Sequence, residues 1–122
     1  MQLAPAIPVL RIFDKAKART FYVEYLGFTL VGKHRYALDI PLYAVQSRGP
    51  LRVHLSELHD DATPDSAIML PVSNAEALLA DLHSRAHPRM NPDIEKLQCG
   101  HQVAVADPFE NRLLFLESKT GK

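Results

Sequence analysis

The chain contains no tryptophan and a single cysteine, Cys99. One cysteine cannot form an intramolecular disulfide, so packing and hydrogen bonds must hold the fold, and the composition suits a reducing cytosol. Cys99 also has little prospect as a nucleophile. His101 would share its face in an extended strand, but no third group is at hand to orient that histidine. An excess of one charge is missing too, with 14 basic residues against 14 acidic ones. That argues against a dedicated nucleic-acid binder, which normally shows a basic excess or stripe. The densest positive run, Lys15 to Arg19, is diluted by alanine and reads as a solvated helix face. No apolar run approaches the ~18 residues of a membrane span, and the N-terminal stretch lacks the basic-then-apolar layout of a secretory signal. The expectation is a cytoplasmic protein with neither nucleic acid nor membrane as a partner.

What is present is the patterning of one small globular domain over residues 1–122, with 47% hydrophobic residues. Residues 6–13 read as a strand. Asp14 is a good N-cap, and Lys15 to Leu26 has apolar residues at helical spacing. Gly27 follows, where a left-handed C-cap is wanted. Phe28 to His34 and Leu42 to Ser47 read as strands. Arg48-Gly49-Pro50 makes a turn into a hairpin partner, Leu51 to Glu57. A polar, turn-rich linker runs from Leu58 to Asp65.

The pattern then repeats. Ala67 to Val72 is a strand, Ala75 to about Ala86 a helix stopped by Pro88, and Ile94 to Leu97, His101 to Ala106 and Arg112 to Glu117 are strands. Each half is β-α-β-β-β, over residues 5–57 and 66–118. Half a chain of ~60 residues supports only a marginal core, so the halves, or two chains, should pair.

Two motifs stand out: Phe21-Tyr22-x-x-x-Leu26-Gly27-Phe28 at the end of the first helix, and Asp107-Pro108-x-x-Asn111 before the last strand. With the paired βαβββ pattern, they resemble the vicinal oxygen chelate superfamily of glyoxalases, extradiol dioxygenases and bleomycin-resistance proteins. The runs Val9 to Asp14 and Val53 to Glu57 look closest to the small bleomycin-resistance-like members. The resemblance implies an α+β fold in which two βαβββ modules form a curled mixed sheet around a cleft, with helices outside. It also implies a homodimer whose clefts are built from both chains. Enzymes of this group hold a divalent metal from four strand positions, which fall here on Ile7, His54, Ala67 and Leu114. Three of these side chains have no lone pair to offer, whereas a catalytic metal wants about three protein ligands. The expectation is therefore no metal and no cofactor.

Strand period supplies the candidate site. In Leu51 to Ser56, Arg52, His54 and Ser56 must share the face opposite Leu51, Val53 and Leu55. Arg11 shares a face with Ile7 and Val9. His54 is either a polar anchor for a ligand or a histidine satisfied by a neighbour. Arg11 either meets an anionic ligand group or forms an internal ion pair, for instance with Glu57. Tyr43 either stacks on a planar ligand or packs in the core or dimer. The segment His34 to Pro41 suits a loop at the cleft mouth. Ligand-binding candidates are His54, Arg11, Tyr43, Arg52, Ser56 and Leu114, with no catalytic residue among them.

The function expected is non-catalytic capture of a small, partly aromatic or glycopeptide-like antibiotic, as in bleomycin-resistance proteins. Because this chain is neutral and has no tryptophan, the likeness is to that class rather than to its particular drug. The alternative is a metal-dependent glyoxalase- or dioxygenase-like enzyme. That reading requires a metal set elsewhere, and His54, His59, Asp60 and Asp61 match no known metal loop.

Overall fold

The structure is a computed structural model that describes residues 1–34, 43–58, 61–85 and 92–118. The first module contains β1 (Val9–Arg11), α1 (Lys15–Ala18), β2 (Thr29–His34), β3 (Tyr43–Arg48) and β4 (Leu51–Ser56). The second contains β5 (Ala67–Pro71), α2 (Ala75–Arg85), β6 (Ile94–Leu97), β7 (Gly100–Ala106) and β8 (Arg112–Ser118). Each module forms one four-stranded mixed sheet, in the order β1-β4-β3-β2 and β5-β8-β7-β6. In both, the first-listed pair, β1–β4 or β5–β8, is parallel and the other two are antiparallel. The halves therefore repeat in topology, and the two sheets remain separate rather than closing into a barrel. The remainder of the expected loop from His34 to Pro41 lies outside the described residues, as do His59, Asp60 and Pro88.

The first helix begins as expected. Asp14 caps it by accepting from the amides of Ala16 and Lys17 at 2.9 and 3.1 Å. After one turn it changes winding and continues from Arg19 to Tyr25 as a π-helix. The cause is legible in what must be buried. Phe21, Tyr22, Tyr25 and Leu26 are all in the core, a broader apolar face than the single stripe of an amphipathic α-helix. The wider winding brings adjacent aromatics inward together, and the Leu26 amide donates to the Phe21 carbonyl at 2.9 Å. Gly27 then takes φ 76°, the left-handed conformation that terminates helices. An added Cβ there would also press on the Arg85 guanidinium at 2.9 Å.

Among the described residues, polar contacts join the modules in two clusters, the first of which also includes Arg85 donating to the Glu24 carbonyl at 3.3 Å. Arg48 donates to the Leu26 carbonyl at 2.8 Å and to Asp81 on α2 at 3.0 Å. Burial works against the charged form of Asp81, but the Arg85 hydrogen bond and the two guanidinium charges outweigh it and hold the carboxyl below its usual range. The second cluster unites the two sequence motifs. Buried Asp107 accepts from the Phe109 and Asn111 amides at 2.8 Å through Oδ1. Its Oδ2 accepts from the Tyr22 hydroxyl at 2.5 Å and from Asn111 Nδ2 at 2.9 Å. Asn111 Nδ2 also donates to the Arg11 carbonyl at 2.8 Å, and Asn111 Oδ1 accepts from the Ser66 amide at 3.2 Å. Burial, with the neighbouring carboxylate second, drives the Tyr22 phenol far above its ordinary value, so it remains a donor.

A hydrogen bond to a charged group contributes about 1.5–3 kcal/mol. Tyr22→Phe is therefore expected to lower unfolding stability by about that amount. Urea titration should show an earlier midpoint with an unchanged slope.

Candidate functional site

Strand alternation assigns each sheet one face toward its helix and one away from it. On the helix side of the first sheet lie Leu10, Ala44, Val53 and Leu55, all buried. The other side carries five of the six residues expected from the sequence. The register brings them together: Val9 is paired with His54, Arg11 with Ser56, Tyr43 with Ser56, and Val45 with His54. The sixth, Leu114, belongs to the second sheet, where it pairs with Met69 and Ala104.

The environments of these residues differ. The Tyr43 hydroxyl lies 2.7 Å from His54 Nδ1, and the two rings meet edge to face with centroids 5.4 Å apart. His54 is thus held by a neighbour, as one of its two readings required, while remaining half-buried. Ser56 is fully buried; its hydroxyl donates to Asp61 at 2.7 Å and accepts from the Leu58 amide at 3.0 Å. It anchors the chain leaving β4, so its role there is structural. Arg11 lies over the Phe13 ring at 4.7 Å and donates to the Ile12 carbonyl at 3.4 Å. Arg52 is exposed. Cys99 does not share a strand face with His101. It lies exposed in the turn between β6 and β7, because Leu97 pairs directly with Gly100 and leaves residues 98 and 99 to make the reversal.

Of the four strand positions that the resemblance assigns to a metal, only His54 carries a side chain with a donor atom. His54 is engaged by Tyr43, Ile7 precedes β1 and is 44% exposed, and Ala67 and Leu114 have no donor atom. Among the described residues, no group of three or more His, Cys, Asp or Glu side chains could hold a metal ion.

The second sheet's face away from α2 carries an apolar row beside the polar residues Arg112, Gln102 and Glu95. Leu70, Leu113 and Phe115 point to the core, so Met69, Leu114 and Leu116 point the other way. Met69 is 56% exposed. The first sheet thus presents a polar, partly aromatic surface, and the second an apolar row flanked by Arg112, Gln102 and Glu95.

A separate cavity of about 580 Å³ lies on the helix side of the first sheet. Ile12, Val23, Phe28, Ala44 and Leu55 supply apolar walls, and Gln46 lies among them. Gln46 is 1% exposed, and its Nε2 has no hydrogen-bond partner among the described residues. An unsatisfied buried amide costs about 1–3 kcal/mol. Sequence reading passed over this residue. The available signal was a glutamine two positions after Ala44, on the strand face that must meet the helix.

The full chain, residues 1–122, matches a family model described as Glyoxalase superfamily protein. No curated protein matches the sequence. Among solved structures, the bleomycin-binding protein from bleomycin-producing Streptomyces verticillus, complexed with copper(II)-bleomycin, is similar at 24% identity and TM-score 0.72, over 98% of this chain and 99% of that one. An antibiotic-binding protein from Streptomyces sp. CB03234 is similar at 17% identity and TM-score 0.70, over 98% and 99%. A bleomycin resistance determinant encoded on the transposon Tn5 is similar at 20% identity and TM-score 0.68, over 96% and 99%. At these identities the likeness establishes the fold.

Burial, and after it the Asp61 carboxylate, raises the Tyr43 phenol above its ordinary value. Folding therefore favours the protonated phenol. The corresponding stability is fully present below the unfolded tyrosine value of about 10 and is lost as pH rises through the folded value. Asp61→Asn should lower the Tyr43 titration point, as followed by tyrosine-ring NMR. An unchanged titration would exclude Asp61 as a contributor.

Proposed function

The chain belongs to the glyoxalase superfamily, and we propose that it works there as a non-catalytic binding protein that captures a small, partly aromatic or glycopeptide-like antibiotic. The observation supporting this reading is the unlikeness of the two open sheet faces. The first offers the Tyr43–His54 pair, Arg11 and Arg52; the second offers Met69, Leu114 and Leu116. A ligand held between such walls buries apolar surface on one side and meets a few oriented polar groups on the other, as small-molecule sites generally do. Capture alone protects, so neither a nucleophile nor a metal is needed. The antibiotic-binding structures of the same fold support the ligand class.

In this reading the working unit is a homodimer. Pairing two chains would set the polar face of one against the apolar face of the other and cover Met69. Introducing a charge there should oppose it, since charges are depleted at interface cores. Met69→Glu is expected to shift sedimentation from dimer to monomer with the fold retained by circular dichroism. A wild-type monomer at micromolar concentration would remove the shared cleft.

Binding is tested by calorimetric titration of bleomycin and a panel of planar antibiotics into the wild-type protein. Saturable binding is expected, with His54→Ala weakening it about tenfold or more through loss of one oriented polar contact. No binding across the panel, or binding indifferent to His54, would contradict the proposal.

A further inference from the structure

The Tyr43–His54 contact engages one ring nitrogen of the histidine and leaves the other open. The Tyr43 hydroxyl lies 2.7 Å from His54 Nδ1 and has no other hydrogen-bond partner among the described residues. His54 Nε2 has no partner among them either and, unlike Gln46 Nε2, it is not closed to solvent.

The direction of the bond follows from where each proton can go. A neutral imidazole carries one proton, on Nδ1 or on Nε2. With the proton on Nδ1, that N–H would donate to a phenol oxygen, a poor acceptor, and the phenol proton would find no acceptor among the described residues. With the proton on Nε2, the phenol donates to an unprotonated ring nitrogen, a good acceptor, and both groups are satisfied. Burial, and after it the Asp61 carboxylate, keeps the phenol protonated, so it has a proton to give. The bond made by one ring nitrogen thereby sets the state of the other.

The surroundings define what meets the open nitrogen. Arg11 and Arg52 alternate to the same side of the sheet as His54. Arg52 is exposed, and Arg11 stacks on Phe13. None of the four strands of that sheet contains an aspartate or a glutamate. The face therefore offers a ligand N–H donors and positive charge.

We infer that Tyr43 is the positioning residue of this face: by donating to Nδ1 it fixes His54 as the Nε2–H tautomer, so that the ligand group His54 recognises is an oxygen acceptor, a carbonyl or carboxylate, and not a cation. The ligand half of this inference rests on the capture reading. The tautomer is a property of the free protein and does not.

The full chain, with 15N in its histidines, is observed first without ligand, by long-range 1H–15N spectra at a pH where the ring is neutral. The His54 signals are identified by their loss in His54→Ala. They are expected to show a protonated Nε2 and an unprotonated, hydrogen-bonded Nδ1. Tyr43→Phe keeps the ring contact but removes the donor. It should move Nδ1 toward the position of an unbonded ring nitrogen, with the circular dichroism spectrum unchanged. A proton on Nδ1 in the wild type, or a His54 spectrum indifferent to Tyr43→Phe, would overturn the assignment. Three planar probes of similar shape then test the ligand class: 2-acetylnaphthalene, 2-naphthoate and 2-(aminomethyl)naphthalene. The two acceptors are expected to move His54 Nε2 and to bind about tenfold more tightly than the amine, and Tyr43→Phe should reduce that preference. An amine bound at His54 as tightly as the acceptors, or no probe reaching His54, would overturn the acceptor assignment. Antibiotic capture fails separately, by absence of binding across the calorimetric panel.

Discussion

The carboxylate of Asp107 is the point on which the two halves of the chain depend. It is buried, and it accepts from two backbone amides, a side-chain amide and the Tyr22 hydroxyl. A buried charge survives only when it is hydrogen-bonded in this way. Through Tyr22 it grips the first helix; through Asn111 it is tied to the Arg11 carbonyl and the Ser66 amide. The two most recognisable motifs of the sequence are therefore the two sides of one contact. They fix a frame and carry no chemistry of their own, which is why the same frame serves proteins of unrelated function.

With the frame fixed, function follows from what the open faces present. The positions that the resemblance assigns to ligating side chains hold Ile7, Ala67 and Leu114, and His54 is held against Tyr43. The leucine at 114 continues an apolar row with Met69 and Leu116 on the second sheet. The two open faces differ in polarity, and the proposed capture of a small molecule rests on that difference. The same strands also present an unsatisfied amide on the side of the first sheet that faces the helix, so the two sides of that sheet offer different chemistry.

Much of this was legible in the sequence because strand alternation is a strict geometric rule. Val53 and Leu55 could only face together, which put Arg52, His54 and Ser56 on the other side, and the strands fall within a few residues of where pattern placed them. Topology followed from the paired motifs. Other features depended on contacts between distant residues and had no local signal. The π-winding arises because Phe21, Tyr22, Tyr25 and Leu26 must all be buried at once, a demand of the core rather than of helix propensity. Ser56 looked like a site residue by its face, but its hydroxyl is spent on Asp61 and the Leu58 amide. Cys99 was placed on the face of His101 by assuming an unbroken strand, and the turn at residues 98 and 99 removes it. Gln46 looked ordinary, because only the packed helix shows that its amide nitrogen is enclosed without a partner.

The most direct measurement is the metal content of the purified, untagged protein after growth in metal-replete medium. Less than a tenth of an equivalent of any divalent metal per chain is expected, because the four strand positions supply one imidazole and no other donor. Close to one equivalent per chain, lost in the His54→Ala variant, would mean that His54 leaves Tyr43 to join ligands from elsewhere. That result would contradict the binding-protein account at its base.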